Sequence, residues 1–331
     1  MAAMVAPRAT TVLWARRREL AETMETRRCN PEYLPALRLP DTLRVTGSLS
    51  VALDRADLVI LGVPSHGVRA ILTRVKPLIS SEAALVSLAK GLEENTLLRV
   101  TQVSEAVLSG HPVAVLTGPN LVDEIVAGQP TASVVAARDA GLADTLQDLF
   151  TAGNFRVYTN DDVVGCEVGG ALKNVFALAV GMADGLGFGD NTRAALITRS
   201  LAELARLGTV LGGQPATFAG LAGLGDLVAT CTSLLSRNRT MGERVARGHD
   251  PEAIQATTRT VAEGVRTSLA VARLAHQTGV EMPIVEQVVA VFHHGRPVEA
   301  VVPALMGRAS RHEWDGANTN LSEPRSMSDH P

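Results

Sequence analysis

Cysteine occurs three times in the 331 residues, as Cys29, Cys166 and Cys231. An odd number at these spacings excludes a disulfide scaffold and matches no zinc or redox motif. His293 and His294 are adjacent, so they point to different faces of a helix, and no metal is expected. No run of Lys or Arg is long enough to grip nucleic acid or an anionic membrane, and the net charge is only −3. The partner is therefore expected to be a small molecule, with no nucleic acid and no integral membrane association. There is no internal repeat and no Ser-centred nucleophile elbow. The opening MAAMVAPR is too short for a secretory signal and is broken by Pro7, so a cytoplasmic setting is expected. Finally, no GxGxxG occurs anywhere in residues 1 to 60.

What is present is apolar: 46% hydrophobic residues over this length can fill two cores. From residue 56 onward strand and helix patterns alternate. ADLVILGVP, AALVSLAK, VAVLTGP and TASVVAA read as buried strands, and HGVRAILTRVKPLI as an amphipathic helix. Unbroken runs of Val, Leu, Ile and Ala suit a parallel sheet covered on both faces, a doubly wound α/β domain. After FRVYTN, residues 155 to 160, the strands stop and helical patterns take over. EGVRTSLAVARLAHQTGV and PIVEQVVAVFHHG each end in a glycine suited to a helix C-terminus. The expected organisation is a domain over 1–160, a helical domain over 161–307 and a polar, disordered tail over 308–331.

Three places carry candidate chemistry. In GCEVGGALKNVFALAVGMADG nearly every position around Lys173 is apolar or small, so the helix should be internal and its lysine costly without an anionic partner. The competing reading is a lysine that snorkels or pairs with a carboxylate, and Glu167, six residues away, is on a different part of the helix. Asn174 adds a neutral donor and acceptor at the same depth. In GLAGLGDL three glycines before Asp226 imply a tight turn, and SRNR, residues 236 to 239, gathers groups suited to an anionic oxygen cluster. The plainer reading of SRNR is a helix cap at Ser236 followed by solvated charges. Lys90 with Gly91, and Gly118 with Asn120, follow successive strands and should face one crevice.

In order along the chain, NPEYLP (30–35), DLVILGVPS (57–65), SLAKGLE (87–93), VAVLTGPN (113–120), FRVYTNDDVVGCEVGGALKN (155–174), NTRAALITRSLAELARLG (191–208), GLAGLGDLVATCTS with SRNR (220–239), VAEGVRT (261–267) and VEMPI (280–284) resemble the bacterial NAD(P)-dependent glycerol-3-phosphate dehydrogenases. The likeness runs from about Thr11 to Arg308. It implies an α/β Rossmann-like doubly wound sheet followed by an all-α substrate and catalytic domain. It also implies NAD or NADP as cofactor, dihydroxyacetone phosphate and glycerol 3-phosphate as substrates in phospholipid synthesis, and a homodimer. Position by position, Lys173 matches the proton-transferring lysine, which also contacts substrate, and Lys90, Gly118, Asn120, Asp226, Ser236, Arg237 and Asn238 match other substrate contacts. Arg16, Lys90, Val122, Arg237, Val261 and Glu263 match cofactor contacts. Two departures are Asn120, where the family has Ser or Thr, and Val122, where it has Ala.

ATTVLWARRREL matches the family's second strand; Ala15 and Arg16 to Arg18 stand where an acidic residue would select NAD, which suits the 2′-phosphate of NADP. Only MAAMVAPRA precedes it, which reads as the last turns of the first helix. The first strand and glycine-rich loop are missing, and Met1 is expected to be an internal methionine about 20 residues, one strand, turn and half helix, into the working protein. The rival expectation is a truncated homologue with impaired catalysis that acts as a binding or dimerisation module.

Overall fold

The computed structural model describes residues 1–257 and 262–307, without the side chains of residues 255–257. The disordered tail expected over 308–331 lies outside the described residues. In chain order the first half comprises α1 (Ala2–Val5), β1 (Thr11–Trp14), α2 (Arg18–Arg27), β2 (Cys29–Asn30), β3 (Leu34–Arg38), β4 (Leu43–Thr46), α3 (Leu49–Leu53), β5 (Leu58–Leu61), α4 (Val68–Val75), β6 (Ala84–Ser87), α5 (Val100–Val107), β7 (Val113–Thr117), α6 (Val122–Val126), β8 (Thr131–Ala137), α7 (Ala140–Phe150) and β9 (Phe155–Asn160). The second half is helical: α8 (Val163–Gly185), α9 (Asp190–Val210), α10 (Pro215–Ala219), α11 (Asp226–Thr232), α12 (Arg237–Ala246), α13 (Pro251–Thr257), α14 (Glu263–Thr278), α15 (Pro283–His294) and α16 (Val301–Met306).

Strand pairing divides the first half. β1 pairs in parallel with β4, β2 with β3, and β5 to β9 form a separate five-stranded sheet in sequential order. β5, β6 and β7 are parallel, as their continuous apolar sequences predict. β8 runs antiparallel to β7, and β9 parallel to β8, which corrects the expectation of a uniformly parallel sheet. The reason is the connection: residues 118 to 130 hold only the five-residue α6, short of the crossover helix that a parallel return requires. One face of this sheet packs under α1 and α7, with Val5, Leu116, Val135, Leu146 and Phe150 in its core. The other face packs Val115, Val134 and Ala136 against Val163 and Cys166 of α8.

α8 is the axis of the second half, and all but four of its 23 residues are buried. Asp162 caps it, accepting from the Gly165 amide at 2.7 Å. Although long and apolar enough to span a bilayer, its most apolar window is 89% buried among the other helices, as a core helix should be. Its glycines let neighbouring backbones touch it: a Cβ on Gly181 would stand 2.0 Å from the Arg239 carbonyl oxygen, and one on Gly169 would stand 2.3 Å from that of Ala222. The GLAGLG stretch is not the tight turn its glycines suggest. Residues 221–225 form a π-helical turn that runs into α11, and Gly223 is there because Phe218 leaves no room for a side chain.

Candidate active site

The floor of the site is where α8 and α11 meet the ends of β6 and β7. Lys173 is 6% exposed and its Nζ donates to Oδ1 of Asp226, itself 1% exposed. The other carboxylate oxygen accepts from Lys90 Nζ at 2.8 Å. Lys90 also donates to the Gly118 carbonyl at 2.9 Å and to Asn120 Oδ1 at 2.8 Å, so the two strand-end loops do face one crevice. One carboxylate thus serves two ammonium groups, one from each half of the chain. Burial pulls the Lys173 amine from its ordinary 10.5 down to about 7; the Asp226 charge opposes that fall and Lys90 adds to it. Gly118 adopts φ +117°, and a Cβ there would press on the Ser133 backbone at 3.2 Å, so this turn requires glycine.

Above the floor, amides link three helices and the Lys90 loop. The Gly264 amide donates to Asn238 Oδ1 at 2.9 Å, Asn238 Nδ2 donates to Asn174 Oδ1 at 3.0 Å, and Asn174 Nδ2 donates to the Lys90 carbonyl at 3.4 Å. Ser236 caps α12, its Oγ accepting from the Arg239 amide at 3.3 Å, so the cap reading of SRNR holds for that residue. Arg239 is not part of any anion cluster. It is buried against α8, with Asp184 Oδ2 at 2.7 Å and Glu243 Oε2 at 3.2 Å. The Asp184 contact is an ion pair without hydrogen-bond alignment. Arg237, by contrast, is exposed at the first position of α12. Glu263 begins α14, where burial raises its carboxyl pKa against the opposing pull of Arg237, the Ser65 amide, Lys90 and Lys173.

A family profile described as the C-terminus of NAD-dependent glycerol-3-phosphate dehydrogenase matches residues 162–303, and its N-terminal counterpart matches residues 1–143. The chain belongs to the NAD-dependent glycerol-3-phosphate dehydrogenase family. It is 51% identical over 304 residues to the glycerol-3-phosphate dehydrogenase [NAD(P)+] of Corynebacterium aurimucosum, covering 91% of this chain and 92% of that one. It is 51% identical over 305 residues to glycerol-3-phosphate dehydrogenase [NAD(P)+] 2 of Mycobacterium tuberculosis, covering 91% and 90%. Among solved structures, the glycerol-3-phosphate dehydrogenase of Coxiella burnetii superposes with a TM-score of 0.89 at 36% identity, covering 93% of this chain and 95% of that one.

The residues matched to this family's cofactor contacts are more scattered. Arg16 is exposed just after β1 and, with Arg17, Glu32 and Tyr33, lines an open hollow of about 390 Å³. Arg17 is paired with Glu32 and Arg18 with Glu22, so of the three consecutive arginines only Arg16 lacks an ion pair among the described residues. Val122 is 51% exposed at the start of α6. Val261 lies outside the described residues.

Reading the sequence alone missed one feature. Glu167, set aside as a partner for Lys173, is spent on the other half of the chain, where it meets Arg99 and Thr101. No group of three or more His, Cys, Asp and Glu side chains placed to hold a metal occurs among the described residues.

Proposed function

We propose that the chain reduces dihydroxyacetone phosphate to sn-glycerol 3-phosphate, reversibly and at the expense of NADPH or NADH, with Lys173 as the proton donor. The observation that carries this reading is a buried lysine near neutrality, held by Asp226 beside a second cation at the mouth of the sheet. The residues present suit the cofactor at both ends. Arg16 and its hollow offer a cation for the adenosine phosphate, and Lys90, Val122, Arg237 and Glu263 would hold the nicotinamide end. When bound, the cofactor supplies the hydride that arrives at C2 of the substrate.

As negative charge develops on the C2 oxygen, the Lys173 ammonium gives it a proton, and its pKa near the working pH suits both donation and recapture. Asp226 fixes the direction of that ammonium, and Lys90 lends a second positive charge to the developing alkoxide. Arg237, free at the first turn of α12, holds the phosphate where a guanidinium and a helix N-terminus coincide. Asn238 and Ser236 serve this arrangement through contacts already made within the protein, and Gly118 and Asn120 steady Lys90. A cytoplasmic location and a homodimer accompany this reading, the first from the free thiols, the second because closed dimers dominate soluble oligomers. The assembled floor favours an active enzyme over a catalytically impaired binding module.

The test is Lys173→Met, which removes the donor and keeps most of the side chain's volume. Turnover of dihydroxyacetone phosphate should fall about a hundredfold or more while circular dichroism stays unchanged. Near-normal turnover would overturn the assignment.

A further inference from the structure

Between Lys90 and α5 the chain forms a strap with three anchors. Its start is tied to the site floor through Lys90. Its middle folds on itself, with Leu92 bridged to Arg99 and the Leu97 amide donating to the Glu93 carbonyl at 2.8 Å. Glu93 holds it to its own half through Arg69, in a two-pronged pair at 2.8 and 2.7 Å. Leu92, 3% exposed, belongs to the core of the helical half, and Leu97 packs against the same core. At its far end Arg99 and Thr101 meet Glu167 of α8: the Thr101 amide donates to Oε1 at 2.8 Å, and the Thr101 hydroxyl and the Arg99 guanidinium donate to Oε2 at 2.5 Å. Both charged side chains are nearly enclosed, at 12% and 7% exposure.

We infer that Glu167 is a positioning residue for the reaction, which seats the strap on the helical half and so keeps Lys90 against Asp226. The inference rests on the reading of Lys173 and Lys90 given above. Glu93 and Arg69 would keep the strap folded on its own half whether or not Glu167 is present; among the described residues only Glu167 ties its far end, by polar contact, to the helix that carries Lys173. Losing it leaves the Arg99 guanidinium enclosed without a counter-charge. Relief comes when Arg99 turns to water and draws Leu97 and Leu92 outward. Lys90 then loses its register with Asp226. Lys173 is faced by Asp226 and Cys231 from α11, by Lys90 from the end of β6 and by Glu263 from α14. Withdrawal of Lys90 removes the cation among these and admits water, and both changes raise the affinity of Lys173 for its proton.

The experiment compares the full chain with Glu167→Ala and Glu167→Gln. The pH dependence of Lys173 acetylation by acetic anhydride is read by mass spectrometry without cofactor, beside hydrogen exchange over residues 91–99 and dihydroxyacetone phosphate turnover. Glu167→Ala should raise the Lys173 midpoint by about one pH unit, the scale of losing a nearby partly screened charge. It should also speed strap exchange tenfold or more and lower turnover more than it changes KM. Glu167→Gln, which still accepts from Thr101, should fall between. If Glu167→Ala does not fold, the Gln variant and Arg99→Met carry the same readouts. Faster exchange or lower melting with an unmoved Lys173 midpoint would overturn the inference and leave Glu167 a structural residue. An inactive parent chain whose Lys173 midpoint still moves in Glu167→Ala would instead refute the catalytic reading and keep the positioning one.

Discussion

Replacing Asp226 by Asn removes the one carboxylate shared by two lysines and leaves the shape of the floor nearly intact. Two unit charges about 4 Å apart at an effective dielectric of about 20 attract by about 4 kcal/mol. That is about three pKa units at 1.36 kcal/mol each. Asp226 divides its attraction between Lys90 and Lys173, and the amide oxygen of Asn still accepts one hydrogen bond, so half of this, about 1.5 units, is the sounder figure. The Lys173 midpoint would move from about 7 to well below neutrality. With Lys173 as the proposed donor, reduction requires the ammonium, so activity falls as pH rises through that midpoint. At pH 7 the protonated fraction would drop from about one half to about 3%, and with the loss of orientation the turnover should fall by about a hundredfold. The assay is NADPH consumption with saturating dihydroxyacetone phosphate between pH 5 and 9. Asp226→Asn should show its alkaline limb displaced toward acid and partial recovery near pH 5.5. Turnover within threefold of the parent at pH 7, with an unshifted limb, would refute the role given to this carboxylate.

Two other outcomes follow from separate parts of the molecule. Arg237→Ala should raise KM for dihydroxyacetone phosphate at least tenfold with kcat changed far less, because on the proposed reading the guanidinium grips a group remote from the reacting carbon; steady-state kinetics decide it, and a fall confined to kcat would count against phosphate binding there. Glu203, 2% exposed in α9, accepts from the Ile284 amide at 2.8 Å, and burial lifts its carboxyl from 4.5 to about 8. A native pKa raised above the unfolded one means that the native state binds the extra proton, so this group's stabilisation is full below about pH 4.5 and is lost as pH rises to about 8. Glu203→Gln should flatten that slope and gain stability at pH 8 in urea unfolding; parallel stability curves for the two proteins would show that the carboxylate is comfortable where it is.

The central strands were legible because a strand covered on both faces leaves an unbroken apolar run, as in ALVS and VAVLT. β2 and β3 were not, since both are short and half-exposed and CNPEYLPALR carries no alternation. Strand direction leaves no mark on composition either, so the reversal at β8 could be inferred only from the length of the β7 to β8 connection. Within the site, the depth of Lys173 followed from apolar neighbours on every side, and the joining of Lys90 with Gly118 and Asn120 from their places at strand ends. An anionic partner for Lys173 was foreseen from its burial; that one carboxylate meets both lysines was not. Arg239 and Arg237 look equivalent in SRNR, and only the depth of α12 against α8 separates a buried anchor from an exposed cation. Glu167 and Arg99 are 68 positions apart, and no local pattern announces a pair that closes across two halves of a chain.

The reversal of the last two strands has a further effect on where the lysine can be. β9 ends at Asn160 level with Ala136, which in turn pairs with Val115, so the chain leaves the sheet level with the middle of β7, short of the crevice. α8 must then pass the rest of β7 before reaching that crevice. At about 1.5 Å per residue, the ten residues from Val163 to Lys173 cover about 15 Å, enough to carry the lysine past the end of β7. Gly170 marks the arrival, since a Cβ there would stand 2.7 Å from the hydroxyl of Thr117, the last residue of β7. Had β8 and β9 followed the direction of the other three, the helix would have started at the crevice and pointed away from it. A lysine meeting the crevice would then have come from the first turn, wet and frayed. Because the strands turn back, the lysine arrives in mid-helix, rigid and dry, and the hundred-degree step between helical neighbours sets its aim.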